Sequence, residues 1–455
     1  MFAVRPVNTN MIEPLVVVDK EFNAEGKGEI SRAMSGDNLI EILVIIVPKL
    51  RKVLIEQERV LAAASTISTN LIGPTFRSKA FPQNVSSSVL DLFHQLTRIQ
   101  NSQKVWKKDL SDAFHDPKFF TFSVSLVKKS WIPLLRQWIV GDRDRLTDLL
   151  TKITPPTTAG VLFGVGATSA RVDADRKIQL NLRRIACLIL AAQVDNFVIN
   201  LKEIEDCIVE LLNATAVTSP SSITRGDVYL VLRALILRMS PIHLNSFWPL
   251  INTTLQAALS SLLPEQDSDF TEFSLLQACK LLDTLLVIAP DEFQLHQWLF
   301  ITDTIEAVYR PPNWYPTALT DQVSNFSTST TTTPVSSIKT LPNTGGPQQV
   351  QPNDGWLSTG LTRRPWLFHD SIRDIEKAAL AAASVSAGST PNLPAGAGGQ
   401  VIPQVLIPFL SNLSLYSYES TYSMGTPDLT ACEDMLLADL FEDSGNMGGL
   451  ASTVS

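Results

Sequence analysis

The chain has 455 residues, of which 45% are hydrophobic and 18% are charged, and its formal net charge is −8. This length allows two or more domains or one extended repeat array, and the composition is close to the globular average. The longest apolar runs fall short of the roughly 20 residues that cross a bilayer, which argues against a membrane-spanning protein and limits membrane contact to a peripheral one.

The beginning of the chain lacks the apolar core of a signal peptide, which predicts a cytosolic protein. Residues 1–36 are interpreted as a flexible segment, and a helical array is predicted over 37–310. Asp37 is a candidate N-cap of the first helix, and Pro48 is expected to kink or break that helix. Ser86 is among the cap candidates of the next helix, whose leucines recur at helical spacing.

The helices that follow are predicted to be short and closely joined. Asp116 is expected to cap one with Pro117 at its first position, and another is predicted to begin near Ser130. Later helical segments are predicted near 174–192, 201–214, 225–239, 243–263 and 270–289. A last helix of the array is expected from Asp291, with a wide apolar face that includes Trp298. On this interpretation Trp298 is a core residue, and changing it to Ala should cost a few kcal/mol.

Beyond the array the composition changes twice. Residues 311–362 are rich in Pro, Thr, Gln and Gly, which predicts a disordered insertion. Helical elements are predicted again over 363–441, and residues 442–455 are interpreted as a disordered tail. Within these elements, a helix is expected to be capped by Asp370 or Ser371. The segment 401–420 is either helix or strand, and 427–443 forms an amphipathic helix that docks elsewhere or covers the end of the array.

This succession of helices, without sustained strand alternation, predicts an all-α fold. Helices of about 12–20 residues separated by short Pro, Ser and Gly punctuation favour an α-solenoid or an irregular helical-repeat array of the HEAT/armadillo kind. No exact repeat period is visible in the sequence.

Charge is unevenly distributed along the array. Residues 101–190 hold 15 Lys and Arg against 8 Asp, a net charge of +7, whereas residues 191–310 have a net charge of −9. A basic patch attracts anionic partners such as phospholipid headgroups, nucleic acid or an acidic protein surface. A solvated helix face explains the same pattern and is the favoured interpretation, and pairing of the basic and acidic blocks within the chain is a further alternative. The candidate contacts with an anionic membrane or an acidic partner are Lys107, Lys108, Lys128, Lys129, Arg183 and Arg184.

Aromatic residues are interleaved with these lysines, an arrangement that suits base stacking or insertion at a membrane interface. Their flanking Ile and Leu residues favour a helix–helix core with the lysines directed outward. The aromatic residues in question are Trp106, Phe119, Phe120, Trp131 and Trp138.

The sequence offers no complete catalytic constellation. The histidines do not form a metal-binding motif, and the four cysteines lie far apart, as expected of isolated buried thiols. The glycines at 160–166 lack the Lys-Ser/Thr ending of a phosphate-binding loop. We therefore predict a protein without a cofactor, without a metal ion and without enzymatic activity.

Three blocks of sequence together resemble the C-terminal region of the Dopey family of large trafficking proteins. They are VWKKDLSDAFHDPKFF (105–120), VLRALILRMSPIHLNSFWPLI (231–251) and LLQACKLLDTLLVIAPDEFQLHQWLFITDTIEAVY (275–309), with a weaker continuation at 363–376. The residues interpreted as structural members of these motifs are Trp106, Arg238, Pro241, Trp248, Asp283, Phe293 and Trp298.

The resemblance implies a non-enzymatic scaffold in vesicle-mediated transport between endosomes and the Golgi. It further implies a location in the cytosol and peripherally on those membranes, with binding of phosphatidylinositol 4-phosphate described for some members. The implied partners are a large Golgi scaffold related to Arf exchange factors and a phospholipid flippase, with no nucleic acid and no small-molecule substrate. An alternative that the helical pattern leaves open is an adaptor of another class, such as a nuclear transport or chromatin scaffold.

Overall fold

A computed structural model describes residues 36–142, 144–153, 167–212, 222–263, 270–302, 318–323, 362–368, 405–422 and 425–441. The chain divides into two compact units, Met1–Asp142 and Arg143–Ser455. The predicted N-terminal segment up to residue 35, the tail from 442 and the helix expected after Asp370 or Ser371 lie outside the described residues. None of the described helices combines the length and the apolarity that a bilayer crossing needs.

The described part of the first unit is built from short helices. They are α1 (Gly36–Ile46), α2 (Leu50–Val53), α3 (Gln57–Ile67), α4 (Gly73–Phe76), α5 (Ser87–Thr97), α6 (Gln103–His115), α7 (Val124–Leu126) and α8 (Ile132–Gly141). Turns of 3₁₀-helix lie at Val47–Lys49 and Pro117–Thr121, and turns of π-helix at Ser68–Ile72 and Val127–Trp131.

Local signals set several of these boundaries. Pro48 falls in the 3₁₀ turn Val47–Lys49, where the α-helical pattern changes between α1 and α2 although the helical run continues, so the expected break is not seen. The amide of Val89 donates to Ser86 Oγ at 3.4 Å at the start of α5, and the amide of Lys118 donates to Asp116 Oδ1 at 2.8 Å. Both predicted caps are confirmed. By contrast, α1 begins at Gly36, which places Asp37 in its first turn rather than at the cap.

Each π-helical turn is followed closely by a proline, Pro74 in α4 and Pro133 in α8. A proline inside a helix lacks an amide donor, and its ring collides with the carbonyl one turn earlier. A wider π turn just before the proline accommodates that collision. Helix α7, the π turn and α8 therefore run without a break from Val124, and the predicted start near Ser130 is wrong.

The core of the first unit is dominated by aromatic rings in edge-to-face and tilted contacts. Trp131 lies at its centre, with ring centroids 5.0 Å from Phe119, 5.2 Å from Phe122 and 5.7 Å from Phe76. Such contacts add about 0.5–1.5 kcal/mol per pair beyond the burial of apolar area. The preference for a helix–helix core over an exposed aromatic surface is confirmed, because all five aromatic residues interleaved with the lysines are buried.

The described part of the second unit is also built from helices, several of them longer. They are α9 (Arg145–Leu150), α10 (Ala167–Ala191), α11 (Leu201–Leu212), α12 (Ser222–Arg238), α13 (Trp248–Ser260), α14 (Glu272–Ile288), α15 (Asp291–Gln294), α16 (Ile407–Tyr422) and α17 (Leu429–Phe441). Strands β1 (Thr362–Arg363) and β2 (Thr426–Pro427) form a two-residue parallel pair.

Three of these helices, α10, α12 and α14, lie side by side and run in the same direction. A contact further along one helix meets a residue further along its neighbour, as expected of parallel helices. Gln179 bonds Thr224 and Arg183 bonds Asp227 between α10 and α12, and Arg233 bonds Gln277 between α12 and α14. Helix α14 is buried on all sides from Phe273 to Val287, as expected of an interior helix without amphipathic character.

The close approach of α12 and α14 depends on Gly226. A Cβ atom at this position would lie 2.4 Å from Cε1 of Phe273, a distance that side chains do not tolerate. The predicted all-α class is confirmed in the described part of the chain, apart from the short strand pair. The solenoid form of the array stays a prediction.

Two predictions at the end of the array are wrong. The helix expected from Asp291 ends at Gln294 and is followed by a 3₁₀ turn, Gln297–Leu299. Residues 318–323, part of the predicted disordered insertion, instead pack into the core, where Thr320 donates to the Phe300 carbonyl from its amide at 3.1 Å and its hydroxyl at 2.6 Å. The segment 401–420, left open between helix and strand, is helical from Ile407.

Candidate interaction surfaces

Helix α6 presents lysines on the face opposite its aromatic residues. Trp106 and Phe114 are buried in the aromatic core, whereas Lys104 and Lys108, one turn apart, are exposed. Lys107 is partly exposed and its Nζ lies 2.6 Å from Asp142 Oδ2. The spacing of apolar residues along α6 thus directs one lysine stripe outward.

Lys128 and Lys129 lie on the π-helical turn Val127–Trp131 and are both exposed, while Trp131 on the same turn points inward. This turn and α6 both pack against α5. All four candidate lysines are therefore on the surface of the first unit. Lys104, which the sequence interpretation left out, belongs with them, because it precedes Lys108 by one helical turn.

The remaining two candidates, Arg183 and Arg184, are a correction. Both are buried in the second unit, so neither is available to a membrane or to an external acidic partner. The guanidinium of Arg183 donates to Asp227 Oδ1 at 2.9 Å, and Arg184 donates to Asn181 Oδ1 at 2.9 Å. The Arg183 contact joins the basic block to the acidic block, the intramolecular pairing that the charge pattern left open.

Helix α17 is held against α12 and α14 by buried charges. Asp439 on α17 accepts from Arg233 of α12 and from Lys280 of α14, each at 2.5 Å. Burial by itself raises the pKa of Asp439, but the Lys280 ammonium and the Arg233 guanidinium outweigh it and hold that pKa below its usual range. One carboxylate thus joins three helices.

Two further arginines contact the same helix. Arg183 donates to the carbonyl of Leu440 near the C-terminus of α17, where carbonyls lack partners within the helix. Arg238 lies 2.6 Å from Glu433 on the first half of α17 and also donates to the carbonyl of Leu190 at 2.8 Å. We name these contacts, with those of Asp439, the α17 clamp. Of the two interpretations of segment 427–443, the structure shows the covering helix.

Asp283 fixes a second C-terminal segment. Its two carboxylate oxygens accept the backbone amides of Trp366 at 3.1 Å and Leu367 at 2.8 Å. Burial raises the pKa of Asp283 to about 7, against the lowering effect of these hydrogen bonds. Burial likewise raises the pKa of Asp227 to about 6, and its ion pair with Arg183 offsets this only in part. These carboxylates connect backbone segments and helices.

The motif residues have different environments. Trp106, Trp248 and Phe293 are buried, and Arg238 and Asp283 make the contacts described above. Pro241 is exposed at the first position of a 3₁₀ turn, Pro241–Phe247. Trp298 contradicts its prediction as a core residue, because 62% of it is exposed. The expected loss of stability on changing Trp298 to Ala is withdrawn for that reason.

Three of the four cysteines, Cys187, Cys279 and Cys432, are buried, and Cys207 is half-buried. Burial raises the pKa of the Cys187 thiol to about 12, which leaves it protonated and unreactive at neutral pH. Among the described residues no cluster of His, Cys, Asp and Glu is arranged to hold a metal ion.

Sequence reasoning missed three buried members of the clamp, Arg233, Lys280 and Asp439. The available signal was the position of each charge within an apolar run, for example Asp439 in LLADLF. A charge so placed either breaks the apolar face or pairs with another buried charge.

Comparison with known proteins decides the family. A family model described as DOP1 C-terminal matches residues 9–423. The chain belongs to the DOP1, or Dopey, family. The match includes all three sequence blocks that carry the resemblance, together with all the residues of the α17 clamp that lie on α10, α12 and α14.

Relatives in this family are much longer than the chain, and the similarity covers from about half to nine-tenths of it. The chain is 44% identical to Protein dop1 of Emericella nidulans over 412 residues, which is 90% of the chain and 20% of that relative. It is 26% identical to Protein DOP1 of Saccharomyces cerevisiae, over 58% of the chain and 15% of the relative, and 27% identical to Protein pad-1 of Caenorhabditis elegans, over 54% and 10%. The chain thus spans a fifth or less of the length of these relatives. No solved structure matches it.

Proposed function

We propose that this chain is a non-enzymatic scaffold segment of a Dopey-type protein in vesicle-mediated transport between endosomes and the Golgi. Membership of the family carries the proposal. The use of buried ionisable groups supports it, since Arg183, Arg233 and Asp439 serve to join helices rather than to line a reaction site. Helical-repeat proteins, the predicted form of this array, act through extended surfaces.

In this proposal the chain contacts protein partners and, through the lysines of the first unit, an anionic membrane. The protein partners are a Golgi scaffold related to Arf exchange factors and a phospholipid flippase. The membrane ligand is phosphatidylinositol 4-phosphate, whose phosphate groups would meet Lys104, Lys108 and Lys129. The protein would then be cytosolic and peripherally attached to Golgi and endosomal membranes.

Charge reversal of these lysines tests the membrane contact. Lysines near an anionic surface each contribute about 1 kcal/mol, so the triple variant Lys104→Glu, Lys108→Glu, Lys129→Glu should bind at least about tenfold more weakly. The measurement is flotation with phosphatidylcholine vesicles that contain phosphatidylinositol 4-phosphate, at two salt concentrations. Higher salt should also weaken the wild-type interaction.

A matched control reverses three exposed lysines of the second unit, Lys152, Lys177 and Lys202, with the same change in net charge. This variant should float like the wild type. Equal loss in both variants would assign the effect to net charge alone, and equal flotation of all three proteins would refute the lysine face as the membrane contact.

A further inference from the structure

The three parallel helices of the second unit end at one edge. The chain leaves α10, α12 and α14 after residues 191, 238 and 288, and continues in the connections 192–200, 239–247 and 289–301. Because α10, α12 and α14 run in the same direction in close register, the three connections leave the helices at the same end. We name this part of the surface the connection edge.

Hydrogen bonds tie the first two connections together. The amide of Asp195 donates to the carbonyl of Arg238 at 2.9 Å, and the carboxylate of Asp195 accepts from the amide of Ser240 at 2.7 Å and from its hydroxyl at 2.5 Å. The bonds from Ser240 hold the pKa of Asp195 below its usual range. The edge is therefore a defined surface with a fixed negative charge.

Each connection presents a large apolar side chain to solvent. Ile199 is 83% exposed, Ile242 is 71% exposed, and in the third connection Leu295 and Trp298 are 73% and 62% exposed. Val194 on the first connection is exposed as well. Of the exposed large apolar residues in the described part of the second unit, only Val172 and Leu429 lie away from this edge.

Buried neighbours hold these exposed side chains in place. Phe197, two residues before Ile199, is buried, and the buried Phe247 ends the 3₁₀ turn that carries Ile242.

Around Leu295 and Trp298, the rings of Phe293 and Phe300 stack with centroids 6.3 Å apart, and Gln297 donates to Ser417 Oγ of α16 at 2.6 Å. A turn anchored on both sides of its exposed residues presents them in fixed positions, which lowers the entropic cost of binding.

The charge of the edge identifies the partner. The three connections contain Asp195, Asp291 and Glu292 but no Lys or Arg, within a stretch of net charge −9. An anionic membrane would be repelled by these carboxylates, whereas a protein segment with lysines or arginines beside an apolar stripe would be attracted.

We propose that the connection edge binds a basic amphipathic helix of a partner protein, with its apolar stripe on Ile199, Ile242, Leu295 and Trp298. Neighbouring helices pack about 8–10 Å apart, so the three connections span about 20 Å. A helix of about 14 residues covers that distance. The proposal rests on the scaffold function and specifies the chemistry of one partner.

A pair of synthetic peptides of about 16 residues tests this site on the full chain. One carries a leucine stripe flanked by lysines, and the other has glutamates in place of the lysines. Fluorescence anisotropy should show at least about tenfold tighter binding of the lysine peptide. The variant Ile242→Ser, Leu295→Ser, Trp298→Ser should bind it at least about tenfold more weakly, since apolar burial is lost at each position.

The matched control changes three exposed apolar residues on other elements, Val53, Val172 and Leu429, to Ser and should bind like the wild type. Equal affinity for both peptides, or unchanged binding by the edge variant, would overturn the proposal. Flotation of the wild type but not the edge variant with neutral phosphatidylcholine vesicles would also overturn it, in favour of membrane insertion. Failure of peptide binding leaves the trafficking function standing, because that function is tested by the proteins recovered with the chain.

Discussion

Replacing Asp439 by Ala is expected to destabilise the second unit by about 3–5 kcal/mol. The substitution leaves Arg233 and Lys280 as two buried cations without the carboxylate that both contact. Their side chains are almost fully buried, so water cannot replace the lost partner without opening the contact between α17 and the layer of α12 and α14. Urea unfolding followed by far-ultraviolet circular dichroism measures the loss.

The matched control is Asp206→Ala, which removes an equivalent acid from an exposed pair with Lys202. Exposed pairs of this kind contribute about 1 kcal/mol or less. If the two variants lose equal stability, the α17 clamp does not hold the fold together.

A neutral replacement separates the charge effect from packing. In the variant Arg233→Met, Lys280→Met, Asp439→Leu, all three buried charges are gone and similar volumes remain, so most of the stability lost in Asp439→Ala should return. A triple variant as unstable as Asp439→Ala would show that the clamp acts through shape rather than through charge.

Replacing Trp131 by Ala is expected to cost about 3–5 kcal/mol, because a fully buried indole at the centre of the aromatic core leaves a cavity. Its ring contacts Phe76, Phe119 and Phe122, and those three rings lose their common neighbour. The unfolding transition of the first unit reports this loss.

Trp298→Ala makes the same substitution at an exposed site and is the control for Trp131→Ala. The free energy of unfolding should change by about 0.5 kcal/mol or less, since most of the indole is already in water. A large loss at Trp298 or a small loss at Trp131 would contradict the burial that separates them.

Sequence patterns predicted the helices where the determining interactions are local. Ser86 and Asp116 act within a few residues of their own positions, and their effects on helix boundaries could be predicted without knowledge of the fold. The π turns before Pro74 and Pro133 show the limit of this reasoning, because a proline accommodated by a wider turn does not end a helix.

Predictions of the surface failed where contacts are distant in sequence. Arg183 and Arg184 belong to a basic block of the sequence, but other helices cover the part of α10 that carries them. A count of charges along the sequence therefore could not distinguish these buried arginines from the surface lysines. Arg233 and Asp439 are 206 residues apart, and no local pattern pairs them. Helical spacing continued past Gln294 predicts Trp298 in the core, but the helix ends at Gln294.

Affinity purification of the tagged chain from the cells of its own organism, with identification of the proteins recovered, tests the scaffold function most directly. The result we expect is recovery of a Golgi scaffold related to Arf exchange factors, together with a phospholipid flippase, from a Golgi and endosomal membrane fraction. Recovery of nuclear transport factors or chromatin proteins instead, with the tagged chain in the nucleus, would contradict it.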